Sequence, residues 1–259
     1  MLDAASMGGA ERSTVRLRRE ATSEDGTEDG RQAKMDREKT TMDRRVVVDV
    51  WDWQTRVLHW TNALLVLTLA LLMLGNEAME ALGVAKALRR PVKQLHAYTG
   101  YVFVFTFTLR IAWAFLGNEY ARWRDIVPLT GEQWSGVAAN VRWYLSGFKS
   151  EPPLSRGHNP LASLFYTALF VVLAAQALTG LTLAGVELHM APAAWFTAGL
   201  GEEALEAVEE AAEEIHEFGL WFVIFYLTAH IGGLVFHEIG ERTGLFSSMI
   251  HGKKYFPEE

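Results

Sequence analysis

Hydrophobic positions along the chain gather into four long blocks, at about 57–75, 97–116, 161–186 and 218–236, with polar stretches between them. Each block is close to the ~20 residues a helix needs to cross a ~30 Å hydrocarbon core. The blocks are apolar all round rather than along one stripe, which separates them from the surface helices of a soluble domain. Lipid offers no hydrogen-bond partners, so spans of this kind must satisfy their own backbone as helices. The pattern predicts an all-α membrane protein, a four-transmembrane-helix bundle over 46–240. It is preceded by a tail (1–45) and followed by a C-terminal tail (241–259). The first tail is rich in Arg, Glu, Asp, Ser and Thr, has no aromatic residue and no periodic apolar face, and reads as disordered.

Two connections carry patterns of their own. Between blocks three and four, eight Glu fall between 202 and 217, with Ala204, Leu205, Val208, Ala211, Ala212 and Ile215 at helical spacing. This predicts an amphipathic surface helix feeding into the fourth span, its acidic face either simply solvated or a docking face for a partner. Between blocks two and three, Trp134, Val137, Val141, Tyr144 and Leu145 predict a helix lying at the membrane interface.

Charge adds sidedness. Of the 24 Lys and Arg, twenty fall on the side of the two termini and of the connection between blocks two and three. Lys86, Arg89, Arg90 and Lys93 are the four on the other side. By the positive-inside rule both termini are cytoplasmic and the protein is a multi-pass resident of the cytoplasmic (inner) membrane. The net charge of −7 argues against nucleic acid as a partner. The chain has no cysteine, which excludes disulfides, thiolate metal sites, cysteine-held iron–sulfur clusters and haem attached through a C-x-x-C-H motif. A site built from histidine stays open, and there are eight His.

Four of them, His59, His96, His216 and His230, lie in or at the edges of the spans, where an ionisable side chain is costly and implies function. His216 and His230 are fourteen residues apart on one span, ~21 Å along its axis and on nearly the same face. His96 shares the outer level with His216, and His59 shares the inner level with His230. Two histidines facing each other across a helix bundle suit the axial positions of a b-type haem, so this spacing predicts two such haems. Arg110 lies fourteen residues after His96 and is placed either to pair with an inner haem propionate or to snorkel to the headgroups. Arg56, one turn before His59, is a second candidate for that pairing. Gly100 and Gly180 either admit a flat macrocycle or pack helices. His237, on the face of His230 near the cytoplasmic border, competes as inner ligand or serves a quinone, with Glu238 beside it. His158, His189 and His251 fall outside the spans and read as surface histidines.

Several segments match a known family: RVLHW at 56–60, LHAYTGYVF at 95–103, GNEYARWRDIVP at 117–128, GHNPLA at 157–162 and FHEIGERTGLFSSMIHG at 236–252. Together they resemble the b-type cytochrome subunit of membrane-bound nickel–iron hydrogenases, within the prokaryotic cytochrome b561-like group. The resemblance implies a non-catalytic electron-transfer subunit with His59, His96, His216 and His230 as haem ligands. It also implies hydrogenase subunits docked at the outer face and membrane quinone reduced near the inner haem. The long N-terminal tail and the Glu-rich outer stretch depart from that pattern. Alternatives are the same cytochrome serving another respiratory dehydrogenase or a c-type cytochrome, and a His-lined metal transporter. For the transporter the third and fourth spans offer only Gln176, Thr179, Thr182 and Thr228 as polar company.

Overall fold

The computed structural model describes Gly30 and residues 45–147, 149, 155–241 and 243–258, so nearly all of the sequence-predicted tail lies outside the described residues. The chain divides into two compact units, Val48–Lys254 and the residues up to Val47 together with Tyr255–Glu259. In chain order the described elements are β1 (Arg45–Asp49), α1 (Trp53–Ala81), α2 (Lys86–Leu116), α3 (Trp123–Ile126), α4 (Gly131–Leu145), α5 (Pro160–Val186), α6 (Ala193–Thr197), α7 (Glu202–Glu241), α8 (Leu245–His251) and β2 (Lys253–Pro257). β1 and β2 pair as a two-stranded sheet.

Among the described residues, α1, α2, α5 and α7 are long and apolar enough to cross a membrane. Their outward side chains are large and apolar: Leu64, Phe105, Val171, Leu178 and Phe225 are all exposed. In water this would be a continuous apolar patch far beyond what a soluble monomer tolerates; in lipid it is the expected solvent face. α1 packs along α2, α5 along α7, and α2 meets α5. At that last contact Phe103 and Phe107 stack at 5.3 Å, Phe107 stacks on Phe170 at 5.7 Å, and Trp123 meets Phe170 edge-on at 5.0 Å. Each such pair contributes roughly 0.5–1.5 kcal/mol beyond its buried area.

The helices outrun the apolar blocks. α2 begins at Lys86 rather than near 97, because a tight turn at 82–85 returns the chain at once and Arg89 grips Glu80 through two hydrogen bonds of 2.7 and 2.9 Å. The Glu-rich stretch runs into the fourth span without a break. It is the first part of α7, one continuous helix of 40 residues. Glu and Ala make up twelve of the sixteen residues 202–217, and no Gly or Pro falls there to end the helix before the span begins. The helix between α3 and α5 forms as predicted and is closed by a capping box. Thr130 accepts from the Gln133 N–H while the Gln133 side chain accepts from the Thr130 N–H.

The end of the bundle where α1 begins and α2 ends is laced together by polar groups. Asp52 caps α1 by accepting from the Thr55 N–H at 2.7 Å, and also accepts from the Trp113 indole and the Asn118 N–H at 3.2 Å. Burial pushes the Asp52 carboxyl up, but the hydrogen bonds from Thr55, Asn118 and Trp113 outweigh it and hold the group below its usual range. The segment predicted as a C-terminal tail is instead α8 followed by β2, and its backbone is grasped by α1. Trp60 donates to the Met249 carbonyl at 2.9 Å, and Arg56 donates to the Ile250 carbonyl. Trp51 donates to the Ser248 hydroxyl at 3.1 Å. Gly252 stands at φ 89°, and a side chain there would meet the Trp51 carbonyl at 2.6 Å, so only glycine lets the strap lie this close.

Candidate haem sites

The four membrane-level histidines stand in the two pairs their spacing predicts. The His96 and His216 rings have centroids 6.1 Å apart, and those of His59 and His230 are 6.5 Å apart. Metal–imidazole bonds are about 2 Å and a ring centroid lies about 1.1 Å behind its nitrogen, so two imidazoles on opposite sides of one metal have centroids about 6.2 Å apart. Both separations fit that arrangement. The helices that bear the pairs are also not those in closest backbone contact, since α7 lies tightest along α5 rather than along α1 or α2.

Hydrogen bonds aim the outer pair. The His96 Nδ1 lies 3.1 Å from the Leu69 carbonyl, which can only accept, so Nδ1 carries the proton. The His216 Nδ1 lies 2.9 Å from the Thr179 hydroxyl, whose own proton goes to the Ala175 carbonyl at 2.8 Å. Thr179 therefore accepts from Nδ1–H, and in both rings Nε2 is left as the free ligand nitrogen. Gln176 adds a 2.7 Å bond to the His216 carbonyl and crosses α7 at Gly219, where no side chain would fit. Gly180 plays a comparable part for the ring itself, because a Cβ there would stand 3.1 Å from His216 Cε1. Gly100 meets nothing within 4 Å.

At the inner pair the rings are held by aromatic contacts. Tyr226 stacks on His230 at 5.7 Å with planes 11° apart, and Tyr166 meets His230 edge-on at 6.4 Å. The His59 Nδ1 is buried without a hydrogen-bond partner among the described residues. So is one terminal nitrogen of Arg110, whose guanidinium lies 5.4 Å from the Phe170 ring centroid. A buried cationic donor left unpaired is costly, which is what a site for an anionic group on the ligand would explain. Arg56 is engaged differently: it donates to the Ile250 and Asp52 carbonyls. His237 is bonded to the Tyr144 hydroxyl at 2.5 Å, and Glu238 accepts from the Phe246 N–H at 3.0 Å, tying α7 to α8.

His158 is not the surface histidine that its place outside the spans predicts: it is tucked beneath Trp51 at 4.9 Å and against Tyr166 at 5.1 Å. Its Nδ1 lies 2.5 Å and its backbone N–H 3.1 Å from Asp125 Oδ2. Burial pushes the imidazole below its ordinary value against the pull of the Asp125 carboxylate, and the charges of Lys254 and Arg110 push the same way as burial. Gly157 makes this possible, because a Cβ there would meet the Asp125 carboxylate at 2.5 Å. The available signal was that both residues fall within the matched segments 117–128 and 157–162; hydropathy carried none.

Four helices of membrane-spanning length with two facing histidine pairs are the arrangement expected of a membrane cytochrome of b type. A profile described as prokaryotic cytochrome b561 matches residues 50–252, and the chain belongs to that family. Its cofactor is haem b, and it is an integral membrane protein. The chain is 28% identical over 228 residues to a probable Ni/Fe-hydrogenase B-type cytochrome subunit of Bradyrhizobium diazoefficiens, covering 82% of this chain and 87% of that protein. It is 29% identical over 231 residues to the like-named protein of Rhizobium leguminosarum bv. viciae, covering 83% and 91%. A probable Ni/Fe-hydrogenase 1 B-type cytochrome subunit of Escherichia coli K12 is 28% identical over 217 residues, covering 78% and 88%.

Proposed function

We propose that this chain is the membrane electron-transfer subunit of a nickel–iron hydrogenase. It takes electrons from an iron–sulfur partner at the outer face and passes them through two b-type haems to membrane quinone at the inner face. The observation that carries this reading is the pair of facing histidine pairs sharing one helix, in a chain similar over most of its length to proteins named as such subunits. His96 and His216 hold the outer haem, and His59 and His230 the inner one. Haem b supplies a one-electron iron couple at each level.

The chain's own residues orient and insulate these centres. Thr179 and the Leu69 carbonyl fix the tautomer of the outer ligands, as hydrogen-bond acceptors behind metal-bound histidines do. Arg110 offers its unpaired nitrogen to an inner propionate. Arg56, a second candidate for that task, is already spent on two carbonyls and serves mainly to clamp α8. On the quinone side the His237–Tyr144 couple is the candidate proton donor, with Glu238 holding α8 beside it.

Both termini face the cytoplasm in this reading, and the membrane is the inner one. The four outer cations that weaken the positive-inside count are partly neutralised, since Arg89 pairs with Glu80 and Lys93 with Glu187. A second reading, the same cytochrome under a different outer dehydrogenase, is favoured by the Glu-rich half of α7 on the docking side.

A dithionite-reduced minus oxidised spectrum with a pyridine haemochrome assay tests the core of the proposal. About two b haems per chain are expected, and one each in His216→Ala and His230→Ala. Folded protein without haem would sink the reading, and retention of both haems in either variant would sink the pairing. In membranes containing the partner, hydrogen gas should reduce the b band; reduction by another donor but not by hydrogen would favour the second reading.

A further inference from the structure

The Asp125–His158 pair has no part in holding either haem, yet it is built with care. Asp125 on α3 receives both the ring and the backbone N–H of His158, and Gly157 is bare so that the carboxylate can sit there. Lys254 Nζ, itself almost wholly buried, donates to the Arg156 and Gly157 carbonyls at 3.0 and 2.7 Å and fixes the loop from behind. The His158 side chain keeps 15% of its surface exposed and that of Asp125 27%, so protons can reach the pair from the inner-side solvent. On the other side Tyr166 has its ring 5.1 Å from His158 and 6.4 Å from His230. One aromatic ring, Tyr166, thus separates His158 from His230.

Resting on the haem assignment above, we infer that the Asp125–His158 pair is the proton site coupled to reduction of the inner haem. One electron arrives at the inner iron from the outer haem, and one proton is taken from inner-side water by the His158 imidazole. When that electron passes on to a membrane quinone, the proton returns from His158 to inner-side water. The groups facing His158 are Asp125 from α3, Lys254 from β2, Arg110 from α2, and the uncharged Tyr166 and His59 from α5 and α1, with Asp52 facing Arg110. Two carboxylates and two permanent cations balance there. Imidazole is the group in that set whose ordinary pKa of about 6.5 lets its charge change near neutrality. Negative charge added in a poorly solvated region is most readily compensated by such a group.

The test is an anaerobic potentiometric titration of the purified two-haem protein between about pH 5.5 and 8.5, bracketing the ordinary imidazole value. His216→Ala, which keeps only the inner haem, assigns the signals. The inner potential should fall with rising pH by as much as about 59 mV per unit, the one-electron equivalent of a tenfold change in proton concentration. His158→Gln should flatten that slope and leave the outer haem unchanged. Asp125→Asn keeps the imidazole but removes its counter-charge, and should move the sloping window to lower pH. An unchanged slope in His158→Gln overturns the inference, as does a slope confined to the outer haem. If His158→Gln does not fold, an unmoved window in Asp125→Asn overturns it instead. Failure of the haem assignment itself would show separately, as two haems persisting in His230→Ala.

Discussion

Replacing Thr179 with valine removes one oxygen from beside the outer histidine pair and changes almost nothing in volume. That oxygen accepts from His216 Nδ1–H at 2.9 Å, and Thr179 is only 9% exposed, so water does not replace it freely. The ring is left with a buried donor and no acceptor, a cost of roughly 1–3 kcal/mol, and it gains freedom to turn away from its partner. Losing the partner that orients a metal-bound histidine lowers affinity for the metal about 10–100-fold. The same bond makes the imidazole a stronger electron donor and so favours the oxidised iron. If about 0.5–1 kcal/mol of that preference is lost, the outer potential rises by roughly 20–45 mV for a one-electron couple. Haem content by pyridine haemochrome and potentiometric titration read the two effects, with Thr179→Ser as the variant that keeps the hydroxyl. Wild-type haem content and potential in Thr179→Val would refute the idea that this bond orients the outer ligand.

Gly180→Val places branched carbon where a single Cβ would already stand 3.1 Å from His216, and should cost the outer haem while sparing the inner one, as counted by haemochrome. Asp52→Asn keeps an acceptor for Thr55 but faces Asn118 and Trp113 with an amide, and should lower stability by about 1–2 kcal/mol in thermal unfolding of the solubilised protein. Because the Asp52 carboxyl is held below its ordinary 3.8, its contribution is complete above that pH and disappears as pH falls through the folded value. The variant should therefore lose less stability than wild type on acidification below about pH 4. Lys254→Ala strands the Arg156 and Gly157 carbonyls and should cost about 2–4 kcal/mol by the same melting assay.

The four spans and the two histidine pairs were legible in the sequence for one reason. Hydropathy fixes depth, and helical geometry converts a fourteen-residue spacing into a shared face, so His216 and His230 needed no tertiary information. Helix ends were not legible, because apolar windows stop at the lipid boundary while backbone hydrogen bonding does not. Glu202–Glu217 continues α7 for that reason, and Lys86–Arg90 opens α2. The inner cap was also hidden: Arg56, Trp60 and Trp51 reach residues almost two hundred positions away, and neither periodicity nor charge announces such contacts. His158 was misplaced for the opposite reason. Its burial comes from Trp51 and Tyr166 closing over a loop, and depth along a span says nothing about a loop.

The undivided length of α7 has a consequence for timing. One histidine of each pair stands on this single rod, about 21 Å apart along its axis, so the gap between the two levels is set by covalent and hydrogen-bonded backbone. Electron tunnelling slows exponentially with distance, and a span assembled from two separately moving helices would let the rate wander as they shift. Here both levels are carried by one helix, so the separation of His216 and His230 does not depend on how two helices are packed. In the proposed two-haem arrangement the forty-residue helix thus acts as a metronome for the passage of charge across the membrane.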